Sequence, residues 1–245
     1  FISLSDDAFV ARYNIQKSQF DAVNFMASST PEAKKIIGSY LSKPCVIVRP
    51  QKDNQAITGV VKDTIYDNIQ LPALFMGFKM PNQTHPDTYA LEFLNEVLSS
   101  GSSSRINKEI VEKRQLAQYA FSFNYGLEDA GIGIMAAIAP KEVALDTLLA
   151  AFDAQITGIK SALISEEEFM KVRNKFENDI ASSNASIAGI AENLADNHVY
   201  YGDANRVNSL LSNYLKVTRE DILRVAQTYL TQDQRVILYY LPLEK

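Results

Sequence analysis

The run from Ala117 to Ile138 constrains this chain more than any other part of it. Ala117, Tyr119, Phe121, Phe123 and Tyr125 alternate with Gln118, Ala120, Ser122 and Asn124. Ile132, Ile134, Ala136 and Ile138 then alternate with smaller residues. Period-two patterning means strand, and turn chemistry between Gly126 and Gly131 folds the two strands back as an antiparallel hairpin.

The flanking pattern supplies the rest. Leu74, Met76, Phe78 and Met80 mark a strand with one buried face. Thr84 and Asp87 read as a capping-box variant opening a helix with Tyr89, Ala90, Phe93, Leu94, Val97 and Leu98 at helical spacing. Gly101 suits the end of that helix, and a short helix over about Arg105–Lys113 comes next. Leu145, Leu148, Leu149, Phe152 and Ile156 stripe a further helix, over Lys141–Lys160. Ser165 with Glu168 is a capping box ahead of Phe169, Val172, Phe176 and Ile180. A kink or a break is expected at Ala181–Ser186, before a second helical stretch to about Tyr200; helices follow near Asn205–Tyr214 and Thr218–Tyr229, and a strand over Arg235–Leu241. Earlier, Val23–Ala27 reads as a strand, Thr30-Pro31 opens a helix, and Pro44–Lys62 reads as irregular or extended.

The predicted order is β-α-β-α-α-β-β-α-α-α-α-β. The fold class is α+β: a two-layer α/β sandwich, a mostly antiparallel sheet with helices packed on one face. Lys and Arg number 24 against 29 Asp and Glu, a net charge of −5, so nothing in the charge balance favours a nucleic-acid partner. No apolar run approaches the roughly 20 residues that span a bilayer. The chain starts at Phe1, and Asp6 and Asp7 interrupt its first dozen residues. No secretory signal is legible there, and a piece of a longer gene product is expected.

A search for chemistry finds no catalytic constellation. His85 and His198 are the two histidines, and neither belongs to H-x-x-E-H or H-E-x-x-H. His85 reads as a solvated loop residue, His198 as a helix-end residue complementing the dipole. Cys45 is the single cysteine, which excludes an intrachain disulfide and a cysteine-based zinc site. Ser102–Ser104 come after Gly101 without G-x-S-x-G and read as a cap between helices. Glu166, Glu167 and Glu168 read as first-turn dipole compensation. Arg105, Lys108, Lys113 and Arg114 form a basic cluster among Glu109 and Glu112. One reading is a solvated helix face with i,i+4 pairs; the other is a groove contacting peptide carbonyls or carboxylates.

One stretch is distinctive. Pro72-Ala73-Leu74-Phe75-Met76-Gly77-Phe78 leads to Pro81, then to His85-Pro86-Asp87-Thr88-Tyr89-Ala90-Leu91. Beyond it stand Val97-Leu98-Ser99-Ser100-Gly101-Ser102-Ser103-Ser104-Arg105 and Ile110-Val111-Glu112-Lys113-Arg114-Gln115-Leu116-Ala117. This resembles the C-terminal half-domain of the insulinase/pitrilysin zinc metallopeptidases, which include the mitochondrial processing peptidase and the respiratory core subunits. The resemblance runs from about Tyr13 to the end. It implies residues 1–42 as the end of a preceding half with its connecting strand and helix, and residues 43–245 as the peptidase C-terminal, inactive domain.

The resemblance also implies two halves closing like a clamshell around an unfolded peptide. Zinc is expected in the full protein, on ligands outside this chain, and the partner is a zinc-bearing N-terminal half-domain or subunit. Partner halves that complete the family's active site carry an Arg and, seven positions on, a Tyr; aligned on Glu112-Lys113-Arg114 these fall on Val111 and Gln118. Neither matches, and Tyr119 comes one position late, on the opposite strand face. No catalytic and no metal-ligating residue is therefore expected here. The candidate peptide-groove contacts are Arg105, Lys113, Arg114, Gln118 and Tyr119. The expected function is the non-catalytic wall and closure interface of a peptide-cleaving enzyme. The alternatives are a structural subunit that holds a partner half without proteolysis, and a free-standing module that binds peptides at an edge strand. A bacterial periplasm or envelope is the favoured setting, the mitochondrial matrix the second.

Overall fold

The structure, a computed structural model, describes residues 58–183 and 186–243. The strand expected at Val23–Ala27, the helix opened by Thr30, Cys45 and the domain boundary after residue 42 lie outside the described residues.

Five strands form one sheet: β1 (Val61–Asp67), β2 (Ala73–Met80), β3 (Tyr119–Gly126), β4 (Gly131–Ile138) and β5 (Val236–Pro242). Their order is β1-β5-β2-β4-β3. β5 runs parallel to β1 and antiparallel to β2, and the other pairings are antiparallel. The C-terminal strand is thus inserted between the first two. The hairpin is as expected, with Tyr119 opposite Ile138 and Tyr125 opposite Ile132.

β1 departs from the sequence reading, in which Pro44–Lys62 is irregular or extended and the next strand is the one marked by Leu74 to Met80. All seven of its residues are exposed, so no buried face stamps a pattern on them. Its backbone is fixed instead by β5, from Val61 opposite Val236 to Asp67 opposite Pro242.

The helices are α1 (Thr88–Ser99), α2 (Leu145–Ser161), α3 (Glu166–Ser183), α4 (Ile187–Tyr201), α5 (Leu210–Leu215) and α6 (Arg219–Tyr229). A 3-10 turn (Ala204–Asn208) joins α4 to α5. α1, α2 and α6 pack on one sheet face, and α3 packs on α1. The core lies between: Leu74, Met76 and Phe78 of β2 meet Phe93, Leu94 and Leu98 of α1, Leu148, Phe152 and Ile156 of α2, and Ile222 and Val225 of α6. Each such side chain contributes about 1.5–3 kcal/mol by leaving water.

Local signals fix most helix ends. Thr218 and Asp221 form a reciprocal capping box at α6, and Ser165 and Glu168 form one at α3. Each box satisfies two N–H groups that the helix cannot. Ser186 accepts from the Gly189 N–H at 3.0 Å and opens α4, which Gly202 closes at φ +75°. The expected break thus falls between Ser183 and Ile187. α1 differs from expectation. Its N-cap is Asp87, without a side-chain cap bond, and Thr84 Oγ1 donates to Asn82 Oδ1 instead. The Asp87 carboxylate is drawn off by Arg224, whose Nη2 donates at 2.7 Å, and by the Tyr229 hydroxyl, which donates at 2.8 Å.

Candidate functional site

The short helix expected near Arg105–Lys113 is a π-helix over Asn107–Lys113. Arg114 N–H donates to Glu109 O, five residues back, and Leu116 N–H to Ile110 O. The wider turn leaves one residue more than an α-helix accommodates, and such bulges concentrate where geometry serves function. Gln115 comes next at φ +50°, a left-handed position uncommon for a side chain with Cβ, and turns the chain into β3.

β3 then divides its residues between two environments. Ala120, Ser122 and Asn124 face α1. Ser122 N–H donates to Ser99 Oγ at 2.8 Å, Ser122 Oγ to Asn95 Oδ1 at 2.9 Å, and Asn124 Nδ2 to Leu91 O at 2.9 Å. Small polar side chains let α1 approach this closely. Tyr119, Phe121, Phe123 and Tyr125 occupy the opposite face, which no described helix covers. Tyr119, Phe123 and Tyr125 are 58%, 39% and 58% exposed. Their rings run in a row, Tyr119 to Phe121 at 5.4 Å and Phe121 to Phe123 at 5.9 Å between centroids.

The pairing register extends this row across the sheet. Ile134 of β4 lies between Phe123 and Gly77, and Ala136 between Phe121 and Phe75. Phe75 leads to Leu238 and then to Asp63, and Gly77 leads to Val236 and then to Val61. Among the described strand residues, charge enters this face only at its periphery, at Asp63 and Asp67 of β1 and Lys79 of β2. The Tyr240 hydroxyl donates to Asp67 and holds its carboxyl below the ordinary value.

The residues expected to touch peptide are not gathered into one groove. Arg105 is on the helix side, where Nε and Nη2 donate to the two Glu168 oxygens at 2.9 and 2.8 Å. Glu168 is therefore more than dipole compensation. Hydrogen bonding from Arg105 outweighs its burial and keeps its carboxyl below the ordinary value. Lys113 pairs with Glu109 at 3.2 Å on the exposed π-helix surface, the i,i+4 arrangement of a solvated face. Arg114 and Gln118 are exposed, and Gln118 N–H donates to Ile138 O. Val111 is partly buried against the core. Tyr119 alone joins the open face. The residues that make that face, Phe75, Phe121, Phe123, Tyr125 and Ile134, are legible as alternation, but a period of two does not say which face is covered.

The donor set does not fit zinc. Among the described residues no group of three or more His, Cys, Asp or Glu side chains is placed to hold a metal ion. His85 Nδ1 accepts from the Asp87 N–H at 3.1 Å, so that nitrogen is already engaged. His198 sits exposed in the last turn of α4, where its carbonyl accepts from Gly202.

The described residues thus form a five-stranded, mostly antiparallel sheet with helices on one face, the other face being covered by no described helix. The peptidase M16 inactive domain matches residues 28–176, and the chain belongs to that family. It is 26% identical over 230 residues to the zinc protease PqqE of Helicobacter pylori, covering 94% of this chain and 48% of that protein. It is 25% identical over 158 residues to a zinc protease of Streptomyces coelicolor, SCO5738, covering 64% of this chain and 34% of that one. The chain thus spans about half the length, or less, of these relatives. In fold it is similar to a protease from Helicobacter pylori, with a TM-score of 0.76 and 22% identity over 88% of this chain and 53% of that one. An inactive peptidase domain from Bordetella parapertussis gives a TM-score of 0.64 and 21% identity, over 74% of this chain and 96% of that one.

Proposed function

We propose that this domain forms one wall and the closure interface of a peptide-cleaving chamber, with a zinc-bearing half supplying the chemistry. The observation that carries this reading is the open sheet face, apolar from Phe123 through Ile134 to Val236. Proteins rarely leave contiguous apolar patches of more than a few hundred Å² uncovered unless something binds there. A flat face with charge only at its periphery suits an extended peptide, whose side chains alternate at the same spacing as the aromatic row. The names of the two curated relatives, both zinc proteases, support a peptidase as the whole. The reading puts zinc on the other half, because neither His85 nor His198 belongs to an H-x-x-E-H or H-E-x-x-H.

The test uses the longer protein that carries this chain, with Phe123→Asp and Ile134→Asp introduced together. Both side chains face away from the core, but two like charges then stand opposite each other on β3 and β4, so cleavage is compared at a temperature where thermal unfolding shows the variant folded. Peptide cleavage is expected to fall at least tenfold, as a charge pair is set into an apolar wall. Cleavage at the parental rate by a folded variant sinks the chamber-wall reading. A zinc-free, inactive parent whose partner half is released by the same substitutions favours the scaffold reading instead.

A further inference from the structure

On the helix side, away from the open face, lies a cleft of about 640 Å³. It is bounded by the first turn of α1, the last turns of α4, the 3-10 turn, and parts of α5 and α6. That volume is within the range of small-ligand sites. The proposed chamber wall does not use it.

Its floor holds a cation without a counter-charge. Arg206 is half-buried, and among the described residues no carboxylate forms an ion pair with it. Nη2 donates to the Tyr89 hydroxyl oxygen at 3.2 Å, and the guanidinium stacks 4.0 Å from the Tyr201 ring centroid. Its Nε is shielded from solvent without a hydrogen-bond partner. A guanidinium in this position has lost part of its hydration and gained no anion in return, which is unfavourable unless something completes the site. Nη1 makes no bond to a described residue and is available.

Tyr89 adds a directed donor. Its oxygen accepts from Arg206 and also from Asn213 Nδ2 at 3.3 Å. A phenol oxygen has two lone pairs, so both are engaged and the hydroxyl proton is left to donate. No described residue accepts it.

Two carboxylates near the site are already engaged by other residues. Glu92 lines the cleft and accepts from the Tyr214 hydroxyl, while burial raises its carboxyl above the ordinary value. The Asp87 carboxylate is turned to Arg224 and Tyr229, so it leaves the first turn of α1 without a side-chain cap. Of the other charged groups that line the cleft, Asp87 and Asp221 both pair with Arg224, and Asp196 stands with Lys216 at the rim.

We propose that this cleft is an anion site that takes a carboxylate, held by Arg206 and by the hydroxyl of Tyr89. A planar carboxylate can accept from the open Nη1 of the guanidinium and from a neighbouring O–H, and a bond from a charged donor is stronger than one between neutral groups. The carboxylate is that of a small organic acid or of a peptide C-terminus, and the experiment separates the two.

Titration calorimetry on the full protein would use acetate, a blocked tripeptide with a free C-terminal carboxylate, the same tripeptide as its amide, and inorganic phosphate. Saturable heat is expected from the free-acid peptide or from acetate, and none from the amide. Equal binding of acetate and peptide acid points to a small acid; binding of the peptide acid alone points to a peptide end. Arg206→Gln is expected to weaken binding about tenfold or more, and Tyr89→Phe about fivefold, the usual effect of losing a charged and a neutral-donor bond. Thermal unfolding checks that both variants fold; if Arg206→Gln does not, Arg206→Lys keeps the charge, loses the fork and takes its place. No saturable heat from either carboxylate overturns the proposal. So does binding of phosphate alone, or unchanged affinity in the folded Arg206 variant.

Discussion

Arg105 and Glu168, sixty-three positions apart, are joined by two parallel hydrogen bonds of 2.9 and 2.8 Å. The same carboxylate accepts from the Ser165 N–H at 3.2 Å, so one side chain both starts α3 and ties it to the residue that leads into the π-helix. Arg105→Ala is expected to lower stability by about 1–2 kcal/mol, the worth of a partly exposed bidentate pair after solvent screening. Glu168→Gln removes the charge and one acceptor and should cost about as much, since it also weakens the cap. Urea denaturation of both single variants and the double variant measures it. A double variant no worse than either single shows that the pair acts as a unit.

The same pair gives a pH dependence. The folded-state value for Glu168 is depressed, so its contribution is present above the unfolded value, about 4.3, and is lost as pH falls through the folded value. Acid titration of the unfolding midpoint should therefore show a shallower fall in Arg105→Ala than in the parent. Identical acid slopes would show that Arg105 is not what holds this carboxylate ionised.

Arg235 and Asp153 join β5 to α2. Arg235 is 5% exposed, its Nη2 donates to Asp153 Oδ2 at 2.9 Å, and its Nη1 donates to Oδ1. Burial works against a charged Asp153, yet the bonds it accepts prevail and hold its carboxyl below the ordinary value. Truncating one partner of a buried pair strands the other, at about 3–5 kcal/mol. Asp153 keeps some access to water, so Asp153→Ala, which leaves the more buried guanidinium unpaired, should be the costlier single substitution. Thermal unfolding of Asp153→Ala and Arg235→Met decides the order.

How legible each element is in the sequence depends on where its interactions lie. Period two locates β2, β3 and β4, and helical spacing locates α1, α2 and α3, because each of these elements buries a face. β1 leaves no such mark because it buries none, and its place beside β5 is set by backbone pairing together with side-chain contacts such as Tyr240 to Asp67. The capping signals at Ser165, Ser186 and Thr218 are local and readable. The Thr84 and Asp87 signal misleads because Arg224 and Tyr229, distant in sequence, take the Asp87 carboxylate. The candidate site is the least legible part. Arg105 reads as a groove contact because its partner lies on another helix. The aromatic row is visible, but the side chains that decide which face α1 covers, Ala120, Ser122 and Asn124, are the inconspicuous ones.

Gly131 provides a test of hairpin packing. A Cβ added there would stand 2.3 Å from the Pro81 carbonyl oxygen and 3.1 Å from Met80 Cβ. The nearest obstacle is backbone, which cannot rotate away, so β4 would have to separate from the end of β2. Gly131→Ala is expected to cost about 1–3 kcal/mol, the range for overpacking. Gly133→Ala is a useful contrast. Its Cβ would meet Met80 Cε at 2.3 Å, the far end of a flexible side chain that can move. A smaller loss at Gly133 than at Gly131, by denaturant unfolding, bears out the distinction; the reverse order contradicts it.

The Asp87 junction gives the last prediction. Burial and the bond to Asp87 push the Tyr229 hydroxyl up to about 12, and hydrogen bonding from Arg224 keeps Asp87 below its ordinary value. The two groups act at opposite ends of the pH scale. Tyr229 has a raised value, so its contribution is full below about 10 and is lost as pH rises through the folded value. Asp87 has a depressed value, so its contribution is full above about 4 and is lost as pH falls. Tyr229→Phe removes the alkaline part and leaves most of the acid part, since Arg224 still donates to Asp87 at 2.7 Å. Asp87→Asn removes the acid part and only lessens the alkaline part, because Tyr229 loses the carboxylate while its burial still raises it. Unfolding midpoints between about pH 3 and 11 for the parent and the two variants read this directly, since that window brackets both ordinary values. A parental alkaline slope in Tyr229→Phe would show that another tyrosine governs that limb.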